Sequence, residues 1–149
     1  MAEEKKCRLQ RALRILLVLT LCFIWGNSLL GREDSAELSR GLLRWLIDHG
    51  FPIRSEHLLR KMAHFGEFGL LGMELAGLAF LRGAFRRRSA FRAALLSLLT
   101  AMADETIQFF TGRAARLADV LLDFSGAVTG ILFLALILSL ILKHRKHDA

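Results

Sequence analysis

Apolar residues run almost unbroken through four stretches of the chain, from about Ala12 to Leu30, Leu58 to Leu81, Ala90 to Phe110 and Leu117 to Leu142. Each approaches the ~20 residues a helix needs to cross a hydrocarbon core, so the pattern predicts an all-α, polytopic membrane protein with four transmembrane helices. Between the first and second stretches the periodicity changes. Leu38, Leu42, Trp45, Leu46 and His49 recur at helical spacing, Asp34 followed by Glu37 resembles a capping box, and Gly50-Phe51-Pro52 ends the pattern. These features predict an amphipathic surface helix in the first outer loop, with Trp45 at the interface and Arg40, Arg44 and Asp48 turned to water or headgroups.

Charge then orients the spans. The basic leader (Lys5, Lys6, Arg8, Arg11, Arg14), the Arg82 to Arg88 connection with its Arg86-Arg87-Arg88 triplet, and the tail of Lys143, His144, Arg145 and Lys146 fall on one side of a four-span chain. The positive-inside rule makes that side cytoplasmic, giving an N-in/C-in protein. The same clustering argues against nucleic acid as the partner of a net charge of +7, since the basic residues flank apolar runs and are not interleaved with exposed aromatics. With 54% hydrophobic residues, one proline and no Gly/Ser linker, residues 1–149 read as a single membrane domain. Leu19-Thr20-Leu21-Cys22 faintly echoes a lipoprotein cleavage site but lacks the small residue before the cysteine, so the first helix is expected to stay uncleaved. Cys7 and Cys22 lie at different depths, and no disulfide is expected.

Polar residues inside the spans supply the candidate chemistry. Counting 100° per residue puts Arg60, His64, Glu67 and Glu74 within one arc of the second span. In the third, Ser97, Thr100, Asp104, Gln108 and Thr111 recur at steps of three or four with Glu105 beside them. In the fourth, Asp119, Asp123, Gly126 and Gly130 share a face, and Gly126-x-x-x-Gly130 allows close approach of another helix, while Gly69, Gly72 and Ala76 read as packing positions. Most of these groups fall in one outer-sided layer with Asn27, Ser28, Arg113 and Arg116, and Glu74 lies deeper. A charge in a bilayer costs at least about 2.5–3.5 kcal/mol, which pairing, hydration or a ligand must offset. A histidine among carboxylates suits a divalent cation, with Asp104, Glu105, Asp119 and Asp123 as candidate ligands, and Arg60, Lys61, Arg113 and Gln108 suit an anion. The structural alternative pairs Arg113 with Asp119 or Glu105 and lets His64 bridge Glu67 to Asp104.

The run Leu59-Arg60-Lys61-Met62-Ala63-His64-Phe65-Gly66-Glu67-Phe68, then Asp104-Glu105-Thr106-Ile107-Gln108-Phe109, Gly112-Arg113, Asp119-Val120 and Gly126-x-x-x-Gly130 resembles the VanZ-like family, from Trp25 to about Gly130. Where this chain has Phe68, Thr111 and Asp123, that family usually has tyrosine, often proline and commonly asparagine. The added carboxylate of Asp123 strengthens cation binding or demands a partner. The resemblance implies a bacterial cell-envelope protein connected with resistance to the glycopeptide teicoplanin. Joined to the polar layer, it leads to the expectation of a site that binds, or modifies, an anionic lipid or lipid-linked envelope precursor. Were it an enzyme, Asp104, Glu105 and Asp119 would serve as metal or general-base groups alongside Glu67, His64 as proton shuttle, and Arg60 and Arg113 as anion clamps. A small transporter or flippase is the first alternative. A structural assembly partner with an internally paired layer is the second. Four short helices enclose little volume, so a homo-oligomer stays open.

Overall fold

Five helices follow one another through short connections: α1 (Ala2–Leu29), α2 (Arg32–Asp48), α3 (Glu56–Leu81), α4 (Arg87–Phe110) and α5 (Leu117–His147). The computed structural model describes residues 2–53, 55–83 and 87–147, with side chains from residue 3 to residue 144 within those ranges. Arg86 of the arginine triplet, and the Arg145 and Lys146 side chains of the basic tail, lie outside the described residues.

Three helices are long and apolar enough to cross a membrane: α1 from Glu3 to Leu29, α4, and α5 from Leu117 to His144. The second expected span, α3, is not among them, because Arg60, Lys61, Glu67 and Glu74 interrupt its apolar run. Its position explains how it carries them. α3 packs against each of the other four helices, so one of its faces is turned to protein. The outward faces of the bundle are the apolar ones: Phe23, Met62, Phe91, Leu99, Leu132 and Leu136 are exposed, while Ser28, Glu74, Asp104 and Asp123 are buried. A fold standing in water distributes these residues the other way round, whereas a lipid-facing surface requires this arrangement.

α1 begins ten residues before the expected span because the basic leader is itself helical. Glu3 and Glu4 sit in its first turn, and Arg8 pairs with Glu4 at 2.6 Å. α2 corrects the expected capping box. Gly31 occupies the N-cap position without a side-chain cap, so Asp34 falls inside the first turn, where with Glu33 it faces the positive end of the helix. The other end follows expectation: after the C-cap His49, Gly50 and Phe51 donate back to Ile47 and Leu46 at 3.0 Å each, and Pro52 follows.

The closest seam runs between α3 and α5, which lie parallel. A Cβ added at Gly126 would collide with the Phe65 carbonyl, one at Gly130 with Gly69, and one at Gly72 with the Ala127 backbone. The small-residue positions therefore bring main chain against main chain, as the spacing predicted. Below them Ala76, Ala93 and Ile131 form a second small apolar cluster. At the same end as the start of α1, Gln10 Nε2 donates to the Leu81 carbonyl at 2.9 Å, tying the basic end of α1 to the end of α3.

Candidate functional site

α1 and α4 end where α3 and α5 begin, so their polar termini meet at the end of the bundle opposite the N-terminus. The innermost residue of this meeting is Asp104 on α4, 0% exposed. Its Oδ1 accepts from Ser28 Oγ at 2.6 Å and its Oδ2 from Gln108 Nε2 at 2.7 Å, with Gln108 also reaching Ser28 Oγ at 3.3 Å. Thr111 donates to the Ser28 carbonyl at 3.1 Å. The i, i+4 step from Asp104 to Gln108 puts both on the face that meets α1, and the final turn of α4 ties the two helix ends together.

Opposite Asp104 stand His64 of α3 and Asp123 of α5. His64 Nδ1 lies 4.0 Å from Asp104 Oδ2 and 3.8 Å from Asp123 Oδ1. Neither separation is a hydrogen bond. Asp123 is 1% exposed, and among the described residues neither of its oxygens has a hydrogen-bond partner, nor has His64 Nδ1.

Above this centre opens a cavity of about 300 Å³ whose walls include Arg32, His57, Arg60, Lys61, His64, Gln108, Arg113 and Arg116, with Glu105, Asp119 and Asp123 among them. Lys61 is held by Asp119 at 3.6 Å, and Glu105 Oε2 accepts from the Arg116 backbone N–H at 2.8 Å. Among the described residues the guanidinium groups of Arg32, Arg60, Arg113 and Arg116 form no ion pair, which leaves the cavity with uncompensated positive charge.

Arg113 owes its place to the turn before it. Gly112 adopts φ +76°, a left-handed conformation that reverses the chain at the end of α4. There Gly112 N–H bonds the Phe109 carbonyl at 3.3 Å and Arg113 N–H the Gln108 carbonyl at 2.9 Å. The side chain then turns inward, 7% exposed, with Nη1 donating to the Asn27 carbonyl at 3.3 Å and Nε unpartnered. Burial, and after it the neighbouring Arg60 charge, pulls its pKa below the ordinary arginine value.

On the other side of Arg60, His64 and Arg113 lies a second space of about 390 Å³. It is lined by Phe23 and Gly26 of α1, Leu30 just beyond that helix, Ser35, Leu38 and Leu42 of α2, and Leu59, Ala63 and Glu67 of α3. α2 roofs it loosely: Leu38 and Leu42 point into it yet stay exposed, and only Ser35 of this helix is buried. Trp45 stacks on His49, ring centroids 4.2 Å apart, away from the groove.

The structural alternative does not form as drawn: among the described residues, no ion pair joins His64 to Glu67. Three residues turn a helix by about 300°, so Glu67 projects about 60° away from His64, toward α1 and α2, and lines the groove, its Oε2 unpartnered among the described residues. Nor does Arg113 pair with Asp119 or Glu105 among the described residues, since Lys61 takes the first and the Arg116 backbone the second. Thr100 turns its hydroxyl to the Leu96 carbonyl of its own helix. Thr20, on no polar stripe of the sequence, donates to the buried Glu74 at 2.8 Å. The available signal was a lone hydroxyl in an apolar run at the depth of an otherwise isolated carboxylate.

A family model described as VanZ/LLP1 matches residues 13–139, a range that includes every residue of this polar centre. None of the curated proteins and none of the solved structures matches the chain.

Proposed function

Since the chain belongs to the VanZ/LLP1 family, we propose that it is a multi-pass protein of the bacterial cytoplasmic membrane that binds an anionic lipid or lipid-linked envelope precursor in the outer leaflet. The observation that carries this reading is the shared wall between the two spaces. Arg60, His64 and Arg113 line both the cationic cavity and the apolar groove, so a phosphate in the first continues without interruption into a hydrocarbon chain in the second. Free guanidinium groups suit the bidentate oxygens of a phosphate, and each charge-assisted bond contributes about 1.5–3 kcal/mol. The groove opens between α1 and α3 beneath a lightly held α2, on a surface that is already apolar.

Four spans with both termini inside fit this reading. α3, 26 residues and so about 39 Å long, lies alongside α5 from Phe65 to Gly77, and in this topology the polar centre stands at the outer end, opposite the basic leader and tail. A link to teicoplanin resistance would follow if the bound lipid is an envelope precursor.

Two measurements test the proposal. Native mass spectrometry of the detergent-purified protein should show retention of phosphatidylglycerol over phosphatidylcholine, with Arg60→Ala weakening retention about tenfold, equivalent to about 1.4 kcal/mol. Equal retention of both lipids, or an Arg60→Ala protein that binds as wild type does, refutes the site. A bacterial host expressing wild type, His64→Ala or Asp104→Asn at equal membrane abundance should then differ in teicoplanin susceptibility; an identical response of all three removes the link to resistance.

A further inference from the structure

The geometry points to a divalent transition-metal ion, of the zinc or manganese kind, held between His64, Asp104 and Asp123 at the floor of the cationic cavity. One donor atom from each of the three residues lies within 4.8 Å of the other two. Three donors each about 2.1 Å from one ion stand about 3.4–3.6 Å apart in tetrahedral or trigonal geometry. The 4.0 Å and 3.8 Å separations of His64 Nδ1 from Asp104 and Asp123 exceed that by about 0.2–0.6 Å and the remaining pair by at most about 1.4 Å, so small side-chain rotations would close the three donors onto an ion.

A cluster of acidic groups would not carry this inference by itself; the orphaned atoms do. Asp123 is 1% exposed with both oxygens unpartnered, and it faces a histidine nitrogen that is equally unpartnered. An imidazolium would close onto a carboxylate to about 2.7–2.9 Å. Here the ring stands back from both carboxylates, leaving a gap with one nitrogen and two oxygens aimed into it. Asp104 already has the outer support of a metal ligand, since Ser28 and Gln108 hold its two oxygens from behind. The imidazole selects against magnesium and calcium, which favour all-oxygen shells. Toward the cavity the ion would keep open positions, where an oxygen of an anionic ligand can complete its shell.

The probe is the metal alone, so the inference stands or falls independently of lipid binding. Untagged protein, stripped with chelator and dialysed against ZnCl₂ or MnCl₂, should retain about one ion per chain by elemental analysis. His64→Ala and Asp123→Asn should lose it, and His49→Ala and Glu74→Gln, which line neither the cluster nor the cavity, should keep it. Ser28→Ala should weaken binding about 10- to 100-fold. Pulsed electron paramagnetic resonance of the wild-type manganese form should show coupling to one imidazole nitrogen, a readout that needs no variant to fold. No retained ion, no nitrogen coupling, or full retention by Asp123→Asn overturns the site, and a loss of lipid binding with metal intact leaves it standing.

Discussion

Replacing Gly130 by alanine should separate α3 from α5. The new Cβ would overlap the Gly69 carbonyl oxygen and sit 2.8 Å from its carbon and 3.2 Å from its Cα, where ordinary carbon contacts are about 3.5–4.0 Å. The obstacle is main chain, so no rotamer change relieves it, and the two helices must move apart by about 1 Å. Overpacking of this kind costs about 1–3 kcal/mol or more, and the better helix propensity of alanine returns up to about 1 kcal/mol. At roughly 3 °C per kcal/mol for a chain of this size, the apparent Tm should fall by several degrees. Gly66→Ala is the matched comparison on α3: a Cβ there meets nothing within 4 Å, so only the propensity gain remains and the Tm should hold or rise. Scans in one detergent at one heating rate, followed by tryptophan fluorescence, compare the two. Equal shifts in the two variants, or an unchanged Gly130→Ala protein, would refute the backbone-on-backbone seam.

Gly112→Ala should cost about 1–2 kcal/mol, because φ +76° places Cβ against the following carbonyl, and it should also lower phosphatidylglycerol retention by displacing Arg113. Ser28→Ala removes the 2.6 Å bond from a fully buried carboxylate and should lower stability by about 1–3 kcal/mol in the same thermal assay. Glu74→Gln keeps an acceptor for Thr20 and lies away from both spaces, so lipid retention should change by less than about twofold; a tenfold loss would instead bring back a path running through the membrane.

Helical periodicity made much of this arrangement readable. The arc of Arg60, His64, Glu67 and Glu74 on α3, the Asp104–Gln108 step on α4 and the Asp119–Gly130 face of α5 each follow from 100° per residue. Periodicity assigns a residue to a face, however, and does not say which neighbour that face meets. Hence Asp104 was legible as buried and polar, but its pairing with Ser28 depends on how far α1 slides along α4. Glu67 shows the limit most clearly. It lies in the same arc of α3 as His64, yet His64 lines both the cavity and the groove, whereas Glu67 lines only the groove. Arg113 eluded pairing arguments because its acceptor is a backbone carbonyl, Asn27, which no side-chain pattern encodes. The start of α2 carries no capping side chain for a sequence pattern to mark, since a helix can begin at a glycine when acidic residues fill its first turn.

The α3–α5 seam also acts as a gauge. Phe65, whose carbonyl abuts Gly126, is the residue after His64, and Gly126 follows Asp123 by three. The width of the opening between these two side chains is therefore set by peptide geometry, which does not vary as side chains are exchanged by mutation. An occupant too large for that opening cannot widen it by rotating a neighbour; only displacement of α1 or α4 makes room. Selection by size would then survive wide changes in the lipid-facing sequence, and a variant with altered preference should map to the glycines of the seam before it maps to the groups that touch the occupant.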